Sequence, residues 1–149
     1  MTAQAPLQTP RQIWIGLLAR AKPQRLAELF PDLPPHELLR APEIGAVMVR
    51  GRIGGSGQPF NLGEMTVTRC ALRLASGAVG HGHVQGRDKD HARRAAVLDA
   101  LMQGDQADAL RASVLEVLQA EETARRATRA AKAAATRVEF FTMVRGEDQ

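Results

Sequence analysis

Val47-Met48-Val49-Arg50-Gly51-Arg52-Ile53 and, further along, Thr66-Val67-Thr68-Arg69-Cys70-Ala71-Leu72-Arg73-Leu74 are the stretches on which the fold turns. In the first, Val47, Val49 and Ile53 point one way and Arg50 and Arg52 the other; in the second, Cys70, Leu72 and Leu74 alternate with Arg69 and Arg73. A repeat of two belongs to extended chain with one face buried, so each reads as a strand with an apolar side and a cationic side. Gly54-Gly55-Ser56-Gly57 turns the chain after the first, Ser76-Gly77 after the second, and Val79 to Gln85 supplies another strand. Residues 44–86 are expected to form a small antiparallel sheet of three or four strands.

On either side the period becomes helical. Residues 9–40 read as a helical N-terminal part: Thr9 is the N-cap, Pro10 takes the first helical position, Gln12 closes a capping box, and the pattern breaks at Pro23. Ile13, Leu17 and Leu18 share one face, and Leu26, Leu29 and Phe30 follow. Pro31, Pro34 and Pro35 end this region, and 33–43 reads as a connector with a single helical turn over His36 to Leu39. After Gly86, Asp88 is a plausible N-cap, and Ala92, Ala95, Ala96, Val97, Leu98, Leu101 and Met102 form an apolar stripe. A further helix starts near Asp105 with Leu110, Val114, Val117 and Leu118 on its apolar positions, then becomes alanine- and arginine-rich from Thr123 to Arg137. Such a stretch buries little core by itself, so it is expected to run over a surface or a partner. The fold class is α+β: N-terminal helices, a central antiparallel sheet, two C-terminal helices over 88–135, and an extended tail over 138–149 for docking. One domain over 1–149 is the expected organisation.

Composition narrows the function classes. Aromatic residues make up only 3% of the 149-residue chain, so the core must be Leu, Val, Ile and Ala. The one cysteine, Cys70, forms no internal disulfide and suits a reducing cytoplasm. The apolar run Ile13 to Ala19 is too short for a secretory signal, and no segment is long enough to span a membrane. The net charge is +4 and almost all the cations are arginine, whose planar fork favours carboxylate or phosphate, so an anionic partner is expected.

Each candidate site has a plain structural alternative. Arg50, Arg52, Arg69 and Arg73 would crowd on the outer sheet face if their strands pair, holding a phosphate or an acidic protein surface; the alternative is a solvated face balanced by acids. Gly86-Arg87-Asp88-Lys89 at a helix start is an anion site only if Asp88 does not cap the helix itself. Gly54-Gly55-Ser56-Gly57 lacks the trailing Lys of a phosphate loop and is better read as a flexible hairpin. His81 and His83 share a strand face and, with His91 and Cys70, form a possible ligand set, yet no acid stands beside them and a polar strand face is the simpler account. Cys70 lies on the apolar side of its strand, where a thiol packs instead of reacting. No self-sufficient active site can be assembled, and no metal or catalytic residue is assigned. The basic stretch from Arg125 to Arg137 suggests an RNA- or polyanion-binding module as the alternative function, but the aromatic stacking platforms of sequence-tolerant single-strand binders are missing.

Three blocks carry a resemblance: Val84-Gln85-Gly86-Arg87-Asp88-Lys89-Asp90-His91-Ala92 with Ala100-Leu101-Met102-Gln103, the segment from Gly54-Gly55 through Gly63-Glu64 to Arg69 and Arg73-Leu74, and the tail Arg137-Val138-Glu139-Phe140-Phe141-Thr142-Met143-Val144-Arg145-Gly146. Together they resemble the G-subunit family of the bacterial carbon–phosphorus lyase complex, from about Ile13 to the C-terminus. The resemblance implies a cytoplasmic protein of phosphonate catabolism that acts with the H, I and L subunits. Together they make ribose 1-methylphosphonate 5-triphosphate from ATP, taken with Mg, and methylphosphonate, displacing adenine. It further implies a core complex with H, I and J, the I subunit being the most direct neighbour and the contributor of nucleosidase-type chemistry. No cofactor is implied for this subunit, no settled catalytic residues come with the family, and His81 and His83 fall outside its pattern. On this reading Arg69, Arg87 and Lys89 are candidates for phosphate or phosphonate contact. Arg50, Arg52, Arg73, Arg137, Phe140, Phe141, Met143 and Arg145 are candidates for partner docking, with neither nucleic acid nor membrane as partner.

Overall fold

In the computed structural model, which describes residues 8–136, the alternating stretches form a three-stranded antiparallel sheet ordered β1-β2-β3. β1 covers His36–Arg52, β2 Pro59–Leu74 and β3 Val79–Gln85. Gly54 and Gly55, at φ 59° and 82°, make the first turn, and Gly77, at φ 87°, the second; both are backbone settings that glycine adopts without steric penalty. Cys70, Leu72 and Leu74 of β2 and Val84 of β3 face inward onto the helices and are buried.

The helical layer follows its caps. The capping box of helix α1 (Pro10–Arg20) forms as expected: Thr9 Oγ1 accepts from the Gln12 amide at 3.3 Å, and Gln12 Oε1 accepts from the Thr9 amide at 2.8 Å. α2 spans Pro23–Leu29, and α3 spans Lys89–Leu101 with Asp88 as its cap, accepting from the His91 amide at 2.9 Å. α3 lies almost in van der Waals contact with the backbone of β3. A Cβ built on Gly80 would fall 1.9 Å from the Ala96 carbonyl oxygen, and one on Gly82 would fall 2.0 Å from that of Ala92. Gly80 and Gly82 of the strand and Ala92, Ala96 and Ala100 of the helix are thus matched small surfaces. Arg94 fastens α3 to the end of α2 by donating to the Phe30 and Pro31 carbonyls at 2.6 and 2.7 Å.

After α3 comes a continuous helical run: α4 (Ala107–Leu110), a π-type turn (Arg111–Leu115) and α5 (Glu116–Ala135). Leu110, Val114, Leu115 and Leu118 pack on the core; beyond Glu122 every described residue of α5 is partly or fully exposed. The alanine- and arginine-rich half therefore adds no buried side chain to the core beyond Glu122.

Two expectations need correction. Residues 36–40 are not helical, and 36–43 is not a connector: β1 starts at His36 and pairs through Glu37↔Arg73 and Leu38↔Leu72. Breaks in register after Leu38 and after Arg40 spoil the alternation by which a strand is recognised, and an edge position tolerates Pro42 because one side of the strand needs no donor. Likewise β2 begins at Pro59, well before Thr66. β3 pairs only with Val67 to Arg73, so β2 before residue 67 and the second half of β1 form a two-stranded ribbon that no third strand among the described residues supports.

Candidate functional site

The ribbon exposes the side chains that a single strand order cannot hide. Ile44 and Met48 continue the inward-facing set of β1, opposite Thr68 and Glu64, yet they are 45% and 52% exposed because α3 covers β2 and β3 and barely reaches β1. Leu38, opposite buried Leu72, is 42% exposed for the same reason. Ile53, Phe60 and Leu62 are exposed near the tip as well. Phe60, however, stands opposite Gly51, an odd number of residues from Met48, and a Cβ on Gly51 would meet both Phe60 and Leu62. These two therefore occupy the other face of the ribbon, while exposed Arg50 and Arg52 lie on the Met48 side. A 17-residue edge strand with an apolar face and unpaired backbone groups is a surface that, left bare, invites association.

The expected crowding of Arg50, Arg52, Arg69 and Arg73 does not occur. Glu43 stands directly opposite Arg69, and Arg50 lies an odd number of residues from Glu43, so Arg50 and Arg52 project from the other face, opposite Asn61 and Pro59. Arg69 and Arg73 are each met by an acid of β1, Glu43 at 3.2 Å and Glu37 at 3.6 Å. The outer face is a balanced, solvated surface, because the register pairs each of these two arginines with an acid. Arg87 and Lys89 are exposed on either side of Asp88, whose carboxylate is occupied in capping α3. Arg137, Phe140, Phe141, Met143 and Arg145 lie outside the described residues.

The possible ligand set does not converge. His81 and His83 are exposed on the outer face, whereas Cys70 is buried on the inner one. His91 is buried and donates from Nε2 to the Leu18 carbonyl at 2.8 Å, which fixes that tautomer. Burial lowers the His91 pKa below 6.5 and pushes the Cys70 thiol up, so neither is poised as a cation or a thiolate. Among the described residues no three His, Cys, Asp or Glu side chains are grouped to hold a metal ion. No described helix is long and apolar enough to cross a membrane.

Two buried carboxylates organise arginines in ways the sequence reading overlooked. Asp99, wholly buried, accepts from Arg11 Nη2 at 2.7 Å and Nε at 3.0 Å, from Trp14 Nε1 at 2.9 Å and from the His81 amide at 2.9 Å. It pins α1 to β3 through α3. Glu122, 7% exposed, accepts from Arg20 Nε at 2.9 Å and Nη2 at 3.2 Å, and from Arg126 Nη2 at 2.8 Å. Arg20 leads in holding the Glu122 carboxyl below its ordinary 4.5, against the opposing effect of burial. Both acids stood in view: Asp99 follows Ala92, Ala95 and Ala96, and Glu122 follows Leu115 and Leu118, at helical spacing on an apolar stripe. An acid at a core position demands a buried partner.

Comparison with known proteins agrees with this framework. Residues 9–146 match the family model described as phosphonate metabolism protein PhnG. The chain is 50% identical over 145 residues to the alpha-D-ribose 1-methylphosphonate 5-triphosphate synthase subunit PhnG of Rhizobium meliloti (strain 1021), an alignment covering 93% of this chain and 90% of that protein. A match across nearly the whole length of both, containing the ribbon, the α3 cap and the arginine-rich helix, leaves one conclusion: this chain belongs to the PhnG family of phosphonate metabolism proteins.

Proposed function

We propose that this chain is a non-autonomous subunit of a ribose 1-methylphosphonate 5-triphosphate synthase, an assembly that joins methylphosphonate to the ribose of ATP and releases adenine. Its companions in the reaction are the H, I and L subunits, and it sits in a core with H, I and J, contacting I most directly. The half-identical relative is a subunit of that synthase by name. What carries the reading on this chain is the apolar face of β1. Leu38, Ile44 and Met48 lie in line with the buried side chains of β2, but no element among the described residues covers them. A surface of this kind is completed by another chain, where it becomes the apolar centre of an interface with Arg50 and Arg52 at its rim.

Adenine release and ribosyl-phosphonate formation from ATP and methylphosphonate test the proposal, measured with the H, I and L subunits in the presence and absence of this chain. Phosphonate transfer that appears only on its addition is the expected result. Equal product without it would overturn the synthase role.

A further inference from the structure

The C-terminal end of α1, the end of β3 and the middle of α5 enclose a cleft of about 270 Å³ lined by Arg20, Gln85, Glu122, Arg125, Arg126 and Arg129. Four guanidinium groups face one carboxylate. Glu122 is already engaged by Arg20 through both oxygens and by Arg126 through one, so it braces those two side chains. Each braced guanidinium retains N–H groups beyond those donated to Glu122. Among the described residues no acid lies within 4.0 Å of the side-chain nitrogens of Arg125 or Arg129. Arg125 and Arg126 lie three and four residues beyond Glu122, and Arg129 lies four beyond Arg125 and three beyond Arg126, so the helix face turned toward Arg20 and Gln85 is cationic where a packed helix would be apolar. Like charges held this closely repel unless an anion lies among them.

We infer that this cleft binds a phosphate chain, with Arg125 and Arg129 as its principal contacts and with Arg20 and Arg126 held ready by Glu122. Guanidinium forks match the oxygen geometry of phosphate groups, the brace removes part of the ordering cost, and Gln85 adds a neutral amide. That the chain is a triphosphate rests on the proposed synthase role, whose substrate and product both carry one. The cleft is separate from the apolar ribbon, so a ligand held here leaves the docking face clear.

The test is calorimetric titration of the full chain with inorganic tripolyphosphate. Arg125→Gln/Arg129→Gln is compared with Arg50→Gln/Arg52→Gln, which removes the same charge from the ribbon, and far-UV circular dichroism checks that both variants fold. Saturable binding is expected to weaken about tenfold per guanidinium lost from the cleft, so about a hundredfold in the first variant, while the second stays within about twofold. Equal weakening in both would show nothing more than net charge. No saturable binding, or binding unchanged by Arg125→Gln/Arg129→Gln, would overturn the site. If instead that variant binds tripolyphosphate normally but no longer assembles with the H and I subunits, an acidic protein segment occupies the cleft and the inference fails. Turnover plays no part in the titration, so a chain that binds here yet adds nothing to adenine release keeps the site and loses the synthase role.

Discussion

Gly82→Ala puts the packing of α3 on β3 to a quantitative test. A methyl group there would sit 2.0 Å from the Ala92 carbonyl oxygen and 2.9 Å from its carbonyl carbon, whereas ordinary contact starts near 3.4 Å. Helix and strand would have to part by about 1.4 Å, the difference between 3.4 and 2.0 Å. No rotamer relieves this, because the obstacle is main chain. α3 cannot retreat easily either: Ala92, Ala95, Ala96, Val97 and Leu98 are all 3% exposed or less, and Arg94 ties the helix to α2. Overpacking usually costs 1–3 kcal/mol, and a backbone-on-backbone clash belongs at the upper end, so about 3 kcal/mol is expected. For a chain of this size that lowers the melting temperature by roughly 6–12 °C. Gly63→Ala is the control, since a Cβ there meets nothing within 4 Å; it should be neutral or slightly stabilising through the unfolded chain. Differential scanning calorimetry decides. A Gly82→Ala protein melting within about 2 °C of the parent would refute the close approach of α3 to β3.

Further outcomes follow from other parts of the molecule. Ile44→Asp and Met48→Asp change exposed side chains on the apolar face of β1, so the isolated chain should keep its stability within about 0.5 kcal/mol, while affinity for the companion subunits falls about thirtyfold or more; co-purification at native strength would remove this face from the interface. Stability should decline in two stages as pH falls. His91 has a lowered pKa in the fold, so its contribution is complete above about 6.5 and is lost as the pH drops from there through the folded value. Glu122 also has a lowered pKa, so its contribution is complete above about 4.5 and is lost below it. Urea denaturation across this range should show His91→Phe without the upper stage and Glu122→Gln without the lower; identical pH profiles for parent and variants would contradict both assignments.

Much of the fold can be read along the chain because it depends on neighbours in sequence. Thr9 and Gln12 close their box within one turn, Asp88 caps α3 three residues away, and the strand Val79–Gln85 is bounded by turn and cap signals on both sides. The tight packing beneath Gly80 and Gly82 is also foreshadowed by two glycines spaced on one strand face. Local pattern loses its meaning at residues 36–43, where register breaks interrupt the alternation and only pairing with β2 makes the segment a strand. Which arginines meet acids was equally out of reach. Glu37 and Glu43 lie 36 and 26 residues from the Arg73 and Arg69 they neutralise, and a shift of one residue in register would have sent those arginines elsewhere.

By itself the amino-acid order settled the α+β class, the caps, the turns, the buried alternation of β2 and the family resemblance, all of which rest on local periodicity and short-range hydrogen bonding. Tertiary structure alone decided that β1 is an edge strand with its apolar side uncovered and that the four sheet arginines are split between two faces. It also brought Arg20, from 102 residues away, to the Glu122 cleft. Those outcomes depend on which strands become neighbours and where a helix comes to rest. Such long-range choices are made by the packing of the whole core, which no window of sequence contains.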